Sequence, residues 1–135
     1  MSTPLAPDAA GQPADIELRT PADSAYLSVL RTTAAGLAAR LDFTLDDIED
    51  LRIAVGEAGA MLLPQAEVGS RLEAGFTMSP GQLTVEMTVT APEPVAPARD
   101  DFAWQVLTAL TSEVDASVSD STLTLVLTRR ASTAG

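Results

Sequence analysis

Between Ile16 and Arg19 apolar and polar residues alternate, which predicts a short strand that Pro21 ends. After Pro21 the period lengthens to that of a helix. Leu27, Leu30, Ala34, Leu37 and Leu41 recur at spacings of three and four, with Asp23 or Ser24 placed to cap the free N–H groups. Asp42-Phe43 breaks this stripe, and Thr44 with Asp47 has the form of a capping box opening a second helix. Ile48, Leu51, Val55, Ala58 and Leu62 make its buried stripe, and Pro64 marks its end. Gly56 and Gly59 fall inside that helix, where each costs about 1 kcal/mol relative to Ala. Two such residues imply close packing.

The second half of the chain changes to period two. Leu72, Ala74, Phe76 and Met78, then Leu83, Val85, Met87 and Val89, alternate with polar residues across Ser79-Pro80-Gly81-Gln82, where Pro and Gly stand as a type II turn requires. Ala91-Pro92-Glu93-Pro94-Val95-Ala96-Pro97-Ala98 is an extended connector, because proline cannot donate to a ladder. A third helix is expected over about 101–111, with Phe102, Val106 and Leu110 on one side and Trp104 and Leu107 on another. Two closing strands, 114–118 and 122–128, should join through a turn at Ser119-Asp120-Ser121. The order predicts an α/β (α+β) two-layer sandwich, with a mixed, mostly antiparallel five-stranded sheet covered on one face by about three helices. One domain over 15–130 is expected, between disordered tails at 1–14 and 131–135.

Composition narrows the chemistry. The 135 residues are 46% hydrophobic, enough for one core, and contain no Cys, His, Lys or Asn; eight Arg are the only basic side chains. Disulfides, cysteine nucleophiles, histidine bases, Schiff-base lysines and Cys or His zinc sites are therefore excluded. A net charge of −11 argues against direct nucleic-acid binding and favours a basic protein partner. No apolar run reaches the roughly 20 residues that span a bilayer, and the start lacks a secretory pattern, so no membrane association and a cytoplasmic location are expected. Asp46, Asp47, Glu49 and Asp50 follow one another on a helix start, point in different directions and suit the helix dipole, so no metal site is expected there.

The second helix carries the candidate chemistry. Glu57 and Met61 share a face, one turn apart, as a carboxylate base and its metal-holding neighbour would. Glu57 is either a base or a solvated or Arg-paired helix residue; Met61 is a thioether suited to core packing.

The run Asp47-Ile48-Glu49-Asp50-Leu51-Arg52-Ile53-Ala54-Val55, followed by Glu57-Ala58, resembles the second helix of RsbW-type anti-sigma factors, which have the Bergerat (GHKL) ATP-binding fold. Phe102 to Leu110 with Leu123 to Arg130 is similar to the actinobacterial, UsfX-like branch of that family. The resemblance covers about Ile16 to Arg130. It implies a cytoplasmic homodimer that sequesters a stress- or sporulation-type sigma factor and is displaced by a STAS-type antagonist. Many such proteins also phosphorylate that antagonist on serine or threonine with ATP and Mg²⁺. By the resemblance Glu57 matches the catalytic base, and Thr122 matches a nucleotide-binding threonine. Arg31 aligns with an arginine that contacts sigma; Asp46, Asp47 and Asp50 are further sigma-binding candidates on the acidic surface.

The sequence departs from the family pattern at three places. Met61 replaces the asparagine that helps hold Mg²⁺. Ala91-Pro92-Glu93-Pro94 stands where an Asp and two Gly read adenine. Arg99-Asp100-Asp101-Phe102-Ala103-Trp104 stands where a Gly-rich lid would turn N–H groups toward phosphate. The expectation is therefore an anti-sigma module with kinase activity lost or weakened, and with ATP and Mg²⁺ as cofactors only if the degenerate site still works. The alternatives are an active serine/threonine kinase, or a module of the same fold with a partner other than sigma.

Overall fold

The computed structural model describes residues 13–132; the tails expected at 1–14 and 131–135 lie mostly outside these. The elements follow the order that the two periods predict. Strand β1 (Ile16–Pro21) leads through a short turn into helix α1 (Leu27–Arg40), and helix α2 (Leu45–Leu62) follows. Strands β2 (Arg71–Ser79) and β3 (Gln82–Thr90) form a hairpin. Helix α3 (Phe102–Leu110) precedes the hairpin of β4 (Glu113–Ser119) and β5 (Thr122–Arg130).

The caps are local and sequence-encoded. Asp23 accepts a hydrogen bond from the Ala25 amide at 2.9 Å. At the start of α2 the Thr44 hydroxyl accepts from the Asp47 amide at 3.1 Å, while the Asp47 carboxylate accepts from the Thr44 amide at 3.4 Å, completing the capping box. Gly81 at φ 68° supplies the left-handed position of the β2–β3 turn that a side chain would strain.

All five strands lie in one sheet, in the order β1-β2-β3-β5-β4. Every ladder is antiparallel, where a mixed sheet was expected. The reason is topological. The two helices α1 and α2 return the chain to the end at which β1 finished, so β2 runs back along it. The single helix α3 would make β4 parallel to β3, but β5 lies between them.

The helices cover one face. Leu30, Ala34 and Ala38 of α1, Leu51, Val55, Ala58 and Leu62 of α2, and Trp104 and Leu107 of α3 are buried against the alternate strand residues Phe76, Val85, Met87 and Leu125. Each fully buried Leu, Val or Phe contributes about 1.5–3 kcal/mol. The outer face presents Thr, Glu and Ser, with cross-strand hydroxyl pairs Thr84–Thr128 at 3.3 Å and Thr88–Thr124 at 3.0 Å.

Gly59 answers the question its helix position raised. A Cβ built there would overlap the Leu27 side chain, so glycine lets α1 and α2 approach closely. Gly56 leaves similar room for Arg31, whose Nη1 lies 3.3 Å from the place a Cβ would occupy. Of the two apolar sides expected in α3, that of Trp104 and Leu107 faces the core, while Phe102, on the other, is 83% exposed. The register of this short helix is set by its two largest buried contacts, which turn Phe102 outward.

Candidate functional site

Helix α2 and helix α3 are antiparallel neighbours. The Leu110 carbonyl at the end of α3 is joined through Arg129 to Asp50 near the start of α2, while Ala103 at the start of α3 lines a depression with Met61 at the end of α2. The expected nucleotide face of α2, with Glu57 and Met61, therefore looks toward α3 and the connector before it. Glu57 is half-buried and, among the described residues, enters none of the ion pairs. Met61 is half-buried and packs against the core.

The connector is held down by side chains with no nucleotide-binding chemistry. The Gln65 amide makes two hydrogen bonds to the backbone of Val95: its Nε2 donates to the Val95 carbonyl at 2.9 Å, and its Oε1 accepts from the Val95 N–H at 2.8 Å. Arg99 lies over the Trp104 ring at 4.4 Å and pairs with Asp115 at 3.1 Å. Trp104 is 3% exposed and belongs to the core. The Asp115 carboxyl is held below its ordinary value, first by the Arg99 hydrogen bond and then by the Ala116 amide.

Between the end of α2 and the connector remains a depression of about 250 Å³, lined by Met61, Pro64, Gln65, Pro97, Asp101 and Ala103 among others. Small-molecule sites commonly occupy about 300–1,000 Å³. Its lining includes no cation and no glycine, and its charged residue is an aspartate, which would repel a phosphate chain. These residues do not fit ATP with Mg²⁺. Among the described residues no group of three or more His, Cys, Asp or Glu could hold a metal ion.

Thr122, expected to contact nucleotide, closes the β4–β5 hairpin instead. Its hydroxyl donates to the Ser119 carbonyl at 2.8 Å, and the Ala91 amide donates to the neighbouring Ser121 carbonyl at 2.8 Å. The threonine thus stands beside the root of the connector with its donor already used.

The sigma-binding candidates separate: Asp46, Asp47 and Asp50 lie at the start of α2, whereas Arg31 meets its second half at Gly56. Asp46 is exposed, and Arg31 is half-buried across Gly56. Asp50 pairs with Arg129 at 3.2 Å. Asp47, expected on a contact surface, is 1% exposed and cannot serve there. Its carboxylate accepts from Arg129 Nη2 at 2.6 Å, from the Ser132 amide at 2.8 Å and from the Ser132 hydroxyl at 2.7 Å. Burial alone would raise its pKa, but the hydrogen bonds from Ser132, Arg129 and Thr44 outweigh it and hold the carboxyl well below the usual range.

Arg129 and Ser132 were missed as partners of α2. The Arg129-Arg130 pair closing an apolar strand was the available signal, but nothing local says which carboxylate it meets. Hydrogen bonding also continues past the domain end expected at Arg130, through Ala131 to Gly81 and Ser132 to Asp47. Among the described residues no helix is long and apolar enough to cross a membrane.

No protein-family model matches the chain. It is 37% identical over 78 residues to the serine-protein kinase RsbW of Halalkalibacterium halodurans, a match covering 57% of this chain and 48% of that protein. It is 51% identical over 43 residues to the serine-protein kinase RsbW of Bacillus velezensis, covering 32% of this chain and 27% of that one. The matched stretches thus span about half or less of the curated relatives. Among solved structures, the RsbU and RsbW domains of Rv1364c from Mycobacterium tuberculosis superpose with a TM-score of 0.63 over 90% of this chain and 33% of that one, at 17% identity, a likeness of fold. The resemblance read from the α2 motif is borne out: part of the chain is similar in sequence to RsbW serine-protein kinases, and its α/β fold is like that of a structure holding an RsbW domain.

Proposed function

We propose that this domain is an anti-sigma module that holds an alternative sigma factor by stoichiometric binding, is released by a STAS-type antagonist, and works as a cytoplasmic homodimer. The observation that carries the loss of chemistry is the connector: Gln65 fastens it to the end of α2, and the lining left beside it repels phosphate. What remains of the family's equipment is its protein-binding scaffold. Arg31, braced against Gly56, and the exposed Asp46 with the partly exposed Asp50 are the first contact candidates.

Calorimetric titration of the purified protein with alternative sigma factors tests the reading. Saturable binding near one to one, weakened by Arg31→Glu without a change in circular dichroism, is the expected outcome. No binding at micromolar concentrations of any candidate rejects it.

A second reading, an active serine kinase acting on the antagonist with ATP and Mg²⁺, is favoured by the names of the curated relatives. Transfer of labelled phosphate to a STAS-domain protein, abolished by Glu57→Ala, would establish it. Nucleotide titration with and without Mg²⁺ separates the two readings directly.

A further inference from the structure

The depression at the end of α2 has the wrong chemistry for a nucleotide and a consistent chemistry for something else. Met61, Pro64 and Pro97 give it apolar walls, and Asp101 supplies a carboxylate. Glu57 stands one turn before Met61 on the same helical face, half-exposed, so a second carboxylate lies on the same approach. Two exposed apolar residues adjoin its lining residues. Val95, tied by its backbone to Gln65, is 65% exposed, and Phe102, between the lining residues Asp101 and Ala103, is 83% exposed.

Neighbouring Glu93 and Asp100 are exposed and acidic. Of the nearby cations, Arg99 is already engaged by Trp104 and Asp115, and Arg31 packs against Gly56. An exposed phenylalanine beside an apolar groove marks a contact surface, and the field around this one selects the sign of its occupant.

We infer that this groove docks a peptide segment of a protein partner in which an arginine or lysine is flanked by large apolar residues. The cation lies between Glu57 and Asp101, and the apolar side chains cover Met61, Pro64 and Phe102. A small fixed groove suits a short extended segment, because the Gln65–Val95 hydrogen bonds already hold the connector and little ordering remains to be done on binding. The proposal is independent of which protein the Arg31 surface holds.

The test follows backbone amide shifts of the full-length, isotope-labelled protein during titration with three blocked peptides: acetyl-Leu-Arg-Leu-amide, acetyl-Leu-Glu-Leu-amide and acetyl-Gly-Arg-Gly-amide. The arginine–leucine peptide should give saturable shifts confined to Met61, Gln65, Asp101, Phe102 and Ala103; the glutamate peptide should bind about fivefold more weakly, the upper scale of one exposed ion pair, and the glycine-flanked peptide more weakly still, because it lacks the apolar side chains. Glu57→Gln and Asp101→Asn should each weaken the first peptide by up to about fivefold. Phe102→Ser should weaken it while leaving the charge preference intact. Shifts spread equally over Asp46 and Glu49, equal binding of the glycine-flanked peptide, or no saturable shift at millimolar probe would each overturn the assignment.

Discussion

The two ends of α2 treat their charges in opposite ways. At the start, Asp47 is enclosed and every available oxygen is engaged by Thr44, Arg129 or Ser132. At the end, Glu57 makes no ion pair among the described residues, and Phe102 and Val95 stand in solvent. A carboxylate whose hydrogen bonds are all internal stabilises the fold and has nothing left for a ligand. One with free oxygens beside an apolar groove adds little to stability and keeps its binding capacity. Position on the same helix therefore says less about role than the completeness of each group's partners.

The largest expected effect lies at the closed end. Asp47→Ala leaves Arg129 half-buried with its main counter-charge removed, and should lower unfolding stability by about 3–5 kcal/mol in a urea titration. If instead it alters partner binding and leaves the urea midpoint unchanged, the contrast between the two ends fails. The same clamp has a pH signature. The folded carboxyl holds its proton less tightly than the unfolded one, so the unfolded chain takes up more protons in acid. Its contribution should be complete above the unfolded value of about 3.9 and should decline as pH falls below it. Melting curves between neutral and strongly acidic pH should show this decline, and Asp47→Asn should flatten it.

Next in size is the helix–helix contact. Gly59→Ala forces the Leu27 side chain to move and should cost about 1–2 kcal/mol, the overpacking strain reduced by the gain in helix propensity. Leu27→Ala in the same chain should recover part of the loss, which a double-mutant cycle measures. Smallest is the open end. Gln65→Ala removes the two hydrogen bonds to Val95 and should cost about 1 kcal/mol, with faster hydrogen exchange at the Val95 amide. A cost as large as that of Asp47→Ala would show that the connector is as structural as the clamp.

What the sequence disclosed divides along a similar line. Hairpin β2–β3 and the caps at Asp23 and Thr44 were legible because their determinants are local: a period of two, a Pro-Gly turn, an oxygen two or three residues from the N–H it serves. The Glu57 helix was legible by resemblance, and the oddity of its two glycines had a packing cause. The Asp47–Arg129 pair was not, because the partners are far apart along the chain and no periodicity links them. Which apolar side of α3 turns inward was left open for a related reason. In nine residues of helix, Trp104 and Leu107 decide the rotation, and only the core they meet ranks them above Phe102. Gln65 gave no signal either, since an amide that clasps a backbone looks in sequence like any polar residue after a helix.

The clamp on Asp47 also orders events during synthesis. Its capping partner Thr44 is three residues away, but Arg129 leaves the ribosome 82 residues after Asp47, and Ser132 three residues later still. Until then the first turn of α2 carries an unneutralised charge, and the helices lack β5, the interior strand that joins the two hairpins. Contacts of such long separation pay their loop closure before any return. The clamp on α2 therefore closes only after β5 has been made, and the part of α2 that packs on β5 waits uncovered until then.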